Sequence, residues 1–515
     1  MNAIIRHQRP VSTDIVKIFR GIAKNSIDIA FTLLSDGLDS ICLLLAAAVN
    51  VPCALGSQFK RPWSSGALKE YMSRTLGILA SSLLLCGGCL TASSFAQSVS
   101  APVLHAKTYN SHFPSAAGIG ESYNGMGFAS DGKLYYVIDS AAYNVPGQMY
   151  ALDPKTGVIS HIADLNTATG QGDVKAVAQG KSHVNFIESD GKLYFATHLG
   201  YYNRDSGVER TAAPPNGYLP YPGGHFLSYD LQTGKFESLA IAPRGEGIIS
   251  FNMDVKRGRL YGITYPSGHF LSFDLASKRL SDGGAFFAEG ESGEVGTTYR
   301  AICRRIVLDP RDGSVYFTTG DGAIHRYRYE TGQVETVPDV NLHKDYFGEF
   351  DPAKPGMAYN WRAAVWNPND NCIYAVNGAS GYLFRFDPAA RTVEVLERLT
   401  SEPSRRAGMA DKSGYGYLGL ALDTRRNLLY YLTGSPLAVP AKTDEGSDLI
   451  TFYISKKKYR DHGQIVLDTG APAGNEQALV VANDGTVYTL TQFDRNGTQE
   501  MDLISIPPLP AGSER

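Results

Sequence analysis

One short pattern recurs seven times along the chain: glycine or asparagine, any residue, an apolar residue, then tyrosine. It reads Gly132-Lys-Leu-Tyr135, Gly191-Lys-Leu-Tyr194, Gly258-Arg-Leu-Tyr261, Gly313-Ser-Val-Tyr316, Asn371-Cys-Ile-Tyr374, Asn427-Leu-Leu-Tyr430 and Gly485-Thr-Val-Tyr488. The tyrosines stand 59, 67, 55, 58, 56 and 58 residues apart. A unit repeated at near-even spacing is a supersecondary element that buries its apolar face only by stacking on its neighbours. That requirement excludes most architectures at once.

Each copy follows an apolar run that ends in an acidic turn, as in Ile306-Val307-Leu308-Asp309. Most copies precede a second hairpin, such as Phe226 to Asp230 turning at Thr233-Gly234, with Phe270 to Asp274, Tyr327 to Gly332 and Leu383 to Asp387 as its equivalents. Apolar alternation with glycine-centred turns predicts four antiparallel strands, A to D, in each unit. The fold expected is therefore all-β, a seven-bladed β-propeller of four-stranded antiparallel blades. The seventh unit supplies strands at Leu479 to Ala482, Val487 to Thr491 and Leu503 to Ile506, and then runs into Pro507-Pro508-Leu-Pro510, which cannot form a ladder strand. Its missing outer strand is expected from Val103 to Tyr109, so that an N-terminal strand closes the ring.

Before that strand lies a different kind of segment. Met72-Ser73-Arg74 precedes an apolar run from Leu76 to Leu85, and Ser94-Phe95-Ala96 stands before Gln97. A basic start, a short apolar centre and a small-x-small ending predict a secretory signal at 72–96, too short and glycine-interrupted for a membrane span. Residues 1–71 then form an upstream extension outside the mature protein, and 97–515 the propeller and catalytic domain, secreted or periplasmic, monomeric and free of the membrane. Residues 97–515 contain 39 Lys+Arg against 46 Asp+Glu. A nucleic-acid partner is not expected, because a sequence-independent phosphate grip needs a basic surplus. Two cysteines remain, Cys303 and Cys372. They do not make a disulfide scaffold, and their expected places on opposite rims disfavour a bond between them.

Strand alternation puts the tight A–B and C–D turns on one rim and the longer B–C and D–A connections on the other, where a rigid ring carries function. The position after strand B reads Asp139, His198, Tyr265, Gly320, Gly378, Gly434 and Gln492. Gly-His-Phe-Leu-Ser opens strand C twice, at His225 and at His269. The starts of strand A add Asn124, His183, Arg304, Arg305, Trp361 and Arg362, and Tyr201 and Tyr202 stand nearby. An acidic chain that gathers Arg and His at one mouth points to an anionic ligand. The insertion Asn203 to Gly224, rich in Pro, Gly and Tyr, could wall one side of a groove. The repeat tyrosines read as core, and Asp230, Asp274 and Asp309 as turn residues. His269 and Cys303 are candidate ligands of a structural zinc, without a third. No phosphate loop, zincin helix or serine elbow is present.

The strings Thr197-His198-Leu-Gly-Tyr-Tyr202, Tyr221-Pro-Gly-Gly-His225-Phe and Gly262-Ile-Thr-Tyr265-Pro resemble the β-propeller polysaccharide lyases, ulvan lyases above all and oligogalacturonate lyases more distantly. The resemblance implies β-elimination at a uronic acid: an Arg neutralises the carboxylate, a His or Tyr removes the C5 proton, and a Tyr or His protonates the leaving oxygen. It implies His198, His225 and Tyr265 as the catalytic set, with Arg304 or Arg362 matching the carboxylate-neutralising role by placement; position on the same rim adds His183, Tyr202, Asn124 and Arg305 as expected substrate contacts. The resemblance requires no cofactor for catalysis, and a structural zinc would fit His269 and Cys303. The chemistry agrees with the residue types. The C5 proton becomes labile only when the carboxylate charge is neutralised, for which bidentate Arg is well shaped. A base is needed near the working pH, met by a neutral His, or by a Tyr whose pKa neighbouring cations depress. A His, Tyr and Arg cluster without paired carboxylates argues against glycoside hydrolysis. The expected activity is a lyase on a uronate-containing, ulvan-like, sulfated polysaccharide. The competing readings are a propeller that binds glycan or protein without catalysis, and a hydrolase or metal-dependent lyase using acids assigned here to turns.

Overall fold

A computed structural model describes residues 103–109, 119–205, 208–348, 350–406, 419–433, 446–474, 478–495 and 498–509; the side chains of 119–121 and 493–500 are not described. The expected signal, the upstream extension and Gly434 lie outside these residues.

The architecture is all-β and propeller-like, built from small antiparallel meanders. The clearest are Ile187–Ser189, Lys192–Ala196, His225–Asp230 and Phe236–Ile241, then Gly247–Asp254, Arg259–Tyr265, His269–Asp274 and Arg279–Ala285. Val307–Leu308, Val315–Thr318, Ala323–Arg328 and Gln333–Asn341 follow, and after them Trp361–Asn367, Cys372–Asn377, Tyr382–Asp387 and Thr392–Arg398. The first strands of successive sheets touch: 247–254 against 307–308, 307–308 against 361–367, 361–367 against 420–423, 420–423 against 480–481, and 480–481 against 126–128.

The seven-fold pattern has a local cause. Its first residue adopts positive φ in every copy: Gly132 82°, Gly191 72°, Gly258 59°, Gly313 79°, Asn371 56°, Asn427 52° and Gly485 96°. Glycine enters this region freely and asparagine more readily than other side chains, which is why those two residue types alone occupy the place. The turn then aims the tyrosine three positions on into the core, and all seven are buried. Burying a ring of this size contributes roughly 2 kcal/mol. Between sheets the rings meet in layers: Phe270 stacks on Phe317 at 5.7 Å, and Tyr261 lies 5.3 Å from Tyr327. The acidic turn residues behave as expected. Asp230 accepts from Gln232 N (3.1 Å) and Thr233 N (2.8 Å), Asp274 from Ala276 N (2.8 Å), and Asp309 from Arg311 N (3.0 Å).

The two ends of the described chain meet. Val103–Thr108 runs parallel to Lys458–Leu467 through its first half and antiparallel to Thr498–Ile506 through its second, with Lys107 opposite Ser505. It thus joins two meanders into one eight-stranded sheet rather than only adding an outer strand to the last unit. The last hairpin is also longer than its apolar core, Val487–Arg495 with Thr498–Ile506. Among the described residues no helix is long and apolar enough to cross a membrane. Cys303 and Cys372 are free, buried thiols.

Candidate functional site

His198, just after the strand Lys192–Ala196, is the hub of an aromatic cluster. Its ring meets His183 edge-on at 4.9 Å and Tyr265 edge-on at 5.2 Å. Tyr265 closes the strand Arg259–Tyr265 and pairs across the ladder with Gly247. Gly247 is what admits the imidazole: a Cβ there would lie 2.1 Å from His198 Nδ1. His198 is held from behind by a two-way backbone pairing with Lys181 (2.8 and 2.9 Å).

The Tyr202 hydroxyl lies 2.7 Å from His198 Nε2 and donates to Leu199 O at 2.8 Å. A hydroxyl has one proton, so with that proton on Leu199 O it accepts from Nε2–H. Nδ1 is then a bare lone pair, buried and without a hydrogen-bond partner. His183 stacks flat on Tyr123 (4.5 Å, 6°), and its ring nitrogens form no hydrogen bond among the described residues. The Lys181 ammonium lies over Tyr123 at 4.6 Å and over Tyr202 at 5.3 Å.

Cations act on the histidines of the cluster, and carboxylates as well as Arg304 on its tyrosines. His198 is held well below the ordinary imidazole range by burial, then by the charges of Lys181 and Arg304. His183 is lowered well below it too, by burial first, then by His198, Lys181, Arg304 and Arg362. Both rings are therefore neutral near pH 7. The tyrosines move the other way: burial raises Tyr202 and Tyr265 despite Arg304. A tyrosine depressed by cations, one of the two possible bases, is not what the cleft contains, because desolvation outweighs the nearby charge.

The first part of the 203–224 insertion packs against this buried cluster. It begins as a hairpin, Tyr202–Asp205 with Val208–Thr211, and Glu209 O accepts the Tyr265 hydroxyl at 2.9 Å. Arg210 fastens the hairpin by donating to Glu291 O and Gly293 O, each at 2.7 Å. The buried Glu291 carboxylate takes Ile302 N at 2.9 Å and forms an ion pair with Arg304.

The other expected residues are distributed differently. Asn124 sits at φ 61° with its amide 3.5 Å from His183 O, so it supports the histidine's backbone. Arg362 is among the charges acting on His183, and its Nη1 reaches Met357 Sδ at 3.6 Å. His225 is placed apart. Its Nε2 accepts from Gln171 (2.9 Å) and its Nδ1 donates to Ser238 Oγ (2.7 Å), within a network that ties Gln179 to Thr197 and Tyr221. With both nitrogens engaged and burial lowering it to about 4, His225 is a framework histidine in this structure. Arg305 turns away, donating to Asn185 Oδ1 at 2.6 Å.

The zinc expectation does not fit. His269 Nδ1 is 2.9 Å from Asp282 Oδ1, while the Cys303 thiol is fully buried, raised by that burial, and donates to Arg305 O at 3.2 Å. Among the described residues no three His, Cys, Asp or Glu side chains gather as a metal site. Sequence reasoning missed Lys181, Tyr123 and Glu291. The first two adjoin His183 and Asn124 and could have been taken with them, whereas Glu291 stands in a turn with no repeat to mark it.

No family model matches the chain, and no curated relative was found. Solved structures do resemble it. An oligogalacturonate lyase from Vibrio parahaemolyticus aligns over 76% of this chain and 91% of its own at 12% identity, TM-score 0.45. An oligogalacturonate lyase in complex with manganese aligns over 76% and 90% at 11% identity, TM-score 0.43. The extracellular domain of a one-component system from B. thetaiotaomicron aligns over 75% of this chain at 14% identity, TM-score 0.39, and the chain spans only 40% of it. Likeness at this level carries no argument about activity, which must come from the cleft.

Proposed function

We propose that the chain is an exported polysaccharide lyase that cleaves a uronate-containing, ulvan-like glycan by β-elimination. The observation that carries the reading is a pair of neutral imidazoles, His183 and His198, set among Lys181, Arg304 and Arg362 and beside protonated Tyr202 and Tyr265. Lys181 and Arg362 draw the uronate carboxylate in and stabilise the enolate that forms on deprotonation, Arg304 being balanced by Glu291. His183, whose ring nitrogens have no hydrogen-bond partner among the described residues, takes the C5 proton, with His198 behind it. A tyrosine kept protonated by burial donates to the bridging oxygen as the C4–O bond breaks and the C4–C5 double bond forms. The propeller consistent with the first-strand contacts is a seven-bladed ring whose last blade is completed by Val103–Thr108.

The test is absorbance near 235 nm, where an unsaturated uronate absorbs, using residues 97–515 with ulvan, pectate, alginate and glycosaminoglycans. The expected result is turnover of one substrate, lost in His183→Ala, His198→Ala and Tyr265→Phe and kept in His225→Gln. A flat trace from folded protein that still binds the glycan would replace the lyase with a binding propeller.

A further inference from the structure

A second candidate site lies away from the imidazole cluster, in a mostly apolar cavity of about 340 Å³ walled by first strands through Ile187, Phe251, Val307, Val365 and Leu420. No Asp or Glu lines it, and none of the cleft's histidines or tyrosines does. Its polar lining side chains are Arg305, Trp366, Asn185 and Asn252, and the Asn252 amide is already bonded to Ile306 O and Met253 N. Among the described residues the Arg305 guanidinium has one hydrogen-bond partner, Asn185 Oδ1 at 2.6 Å, and forms no ion pair. Its Nε is buried without a partner, and so is the indole Nε1 of Trp366 on the same wall. The Asn185 amide nitrogen makes no hydrogen bond among the described residues, its oxygen being the acceptor for Arg305.

A buried guanidinium facing only a neutral amide is costly, and an unpaired buried donor costs further. Burial accordingly lowers Arg305, to about 10, with no carboxylate to raise it. Donor-bearing side chains lining a cavity without Asp or Glu among the described residues are complementary to an acceptor that carries negative charge. We infer that the cavity binds a small oxyanion, held by Arg305 with the Trp366 indole N–H and the Asn185 amide as neutral donors. Its source, a tetrahedral inorganic anion or a small carboxylate, is what separate titrations distinguish.

The experiment is thermal unfolding of residues 97–515 titrated with sodium sulfate, phosphate or acetate, with sodium chloride holding ionic strength constant. The wild type is expected to show a saturable rise in midpoint with one of them. Trp366→Phe, which removes one donor, should weaken that response about tenfold, and Arg305→Met should abolish it. Asn185→Asp supplies an internal counter-ion beside the guanidinium; it should raise the anion-free midpoint and remove the response. Should Arg305→Met fail to fold, Asn185→Asp and Trp366→Phe decide the matter. A selenate soak should place an anomalous peak beside Arg305. Responses identical in wild type and Asn185→Asp, or no saturable rise with any of the three anions, would overturn the assignment. None of these outcomes depends on lyase activity.

Discussion

Replacing Gly247 with alanine adds one methyl group at the point where the cleft is tightest. The new Cβ would lie 2.1 Å from His198 Nδ1 and 2.8 Å from its Cε1. Ordinary contact begins near 3.4 Å, so the imidazole must retreat by about 1.3 Å. It has nowhere to go without loss, because Nε2 is held by Tyr202 at 2.7 Å and the ring is packed against His183 and Tyr265. Overpacking of this kind costs about 1–3 kcal/mol, and losing the Tyr202 hydrogen bond about 1 kcal/mol more. A displacement near 1 Å in a reacting cluster lowers turnover by about 100-fold. Gly247→Ala is therefore expected to unfold a few degrees earlier and to lose most 235 nm activity. Gly283→Ala, whose new Cβ meets nothing closer than 3.4 Å, should match the wild type in both. A Gly247→Ala protein with wild-type midpoint and turnover would refute the reasoning, since it would mean His198 does not occupy this position.

Acid should destabilise the fold through its buried histidines, His183, His198, His225 and His462 among them. His225 and His462 are each lowered by burial to about 4, so the unfolded chain binds their protons first. Stability is then lost as pH falls from about 6.5 towards 4, by roughly 3 kcal/mol for each; denaturant titrations should show His225→Gln flattening part of that slope, and an unchanged slope would exclude it. Arg304→Met strands the buried Glu291 carboxylate and should cost about 3 kcal/mol, whereas Arg304→Met combined with Glu291→Gln should recover much of it; equal losses in both would show that the pair is not coupled. At Asn371, φ 56°, alanine should destabilise by about 1 kcal/mol and glycine by far less, read as urea midpoints; equal costs would deny that backbone conformation selects the residue.

The sequence alone determined the all-β repeat. Positive φ at one turn position admits Gly and Asn, and a buried ring three residues later admits Tyr, so both constraints are local and are written seven times over. It placed His198 and Tyr265 on one rim for the same reason, since each stands at or just beyond the end of a repeated strand. Which histidine partners His198 is not a local property. His225 opens a strand like His269, and only the packing of Gln171, Ser238 and Thr197 around it commits both of its nitrogens to the framework. His183 becomes the cleft's second imidazole because Tyr123 offers it a face and Lys181 pairs its backbone with His198. Adjacent arginines part in the same way: Arg304 meets Glu291 from a turn thirteen residues earlier, and Arg305 meets Asn185 from the loop before Ile187–Ser189. Repeats record what every sheet shares, while burial and the direction of each charge depend on neighbours far along the chain, which only the tertiary structure brings together.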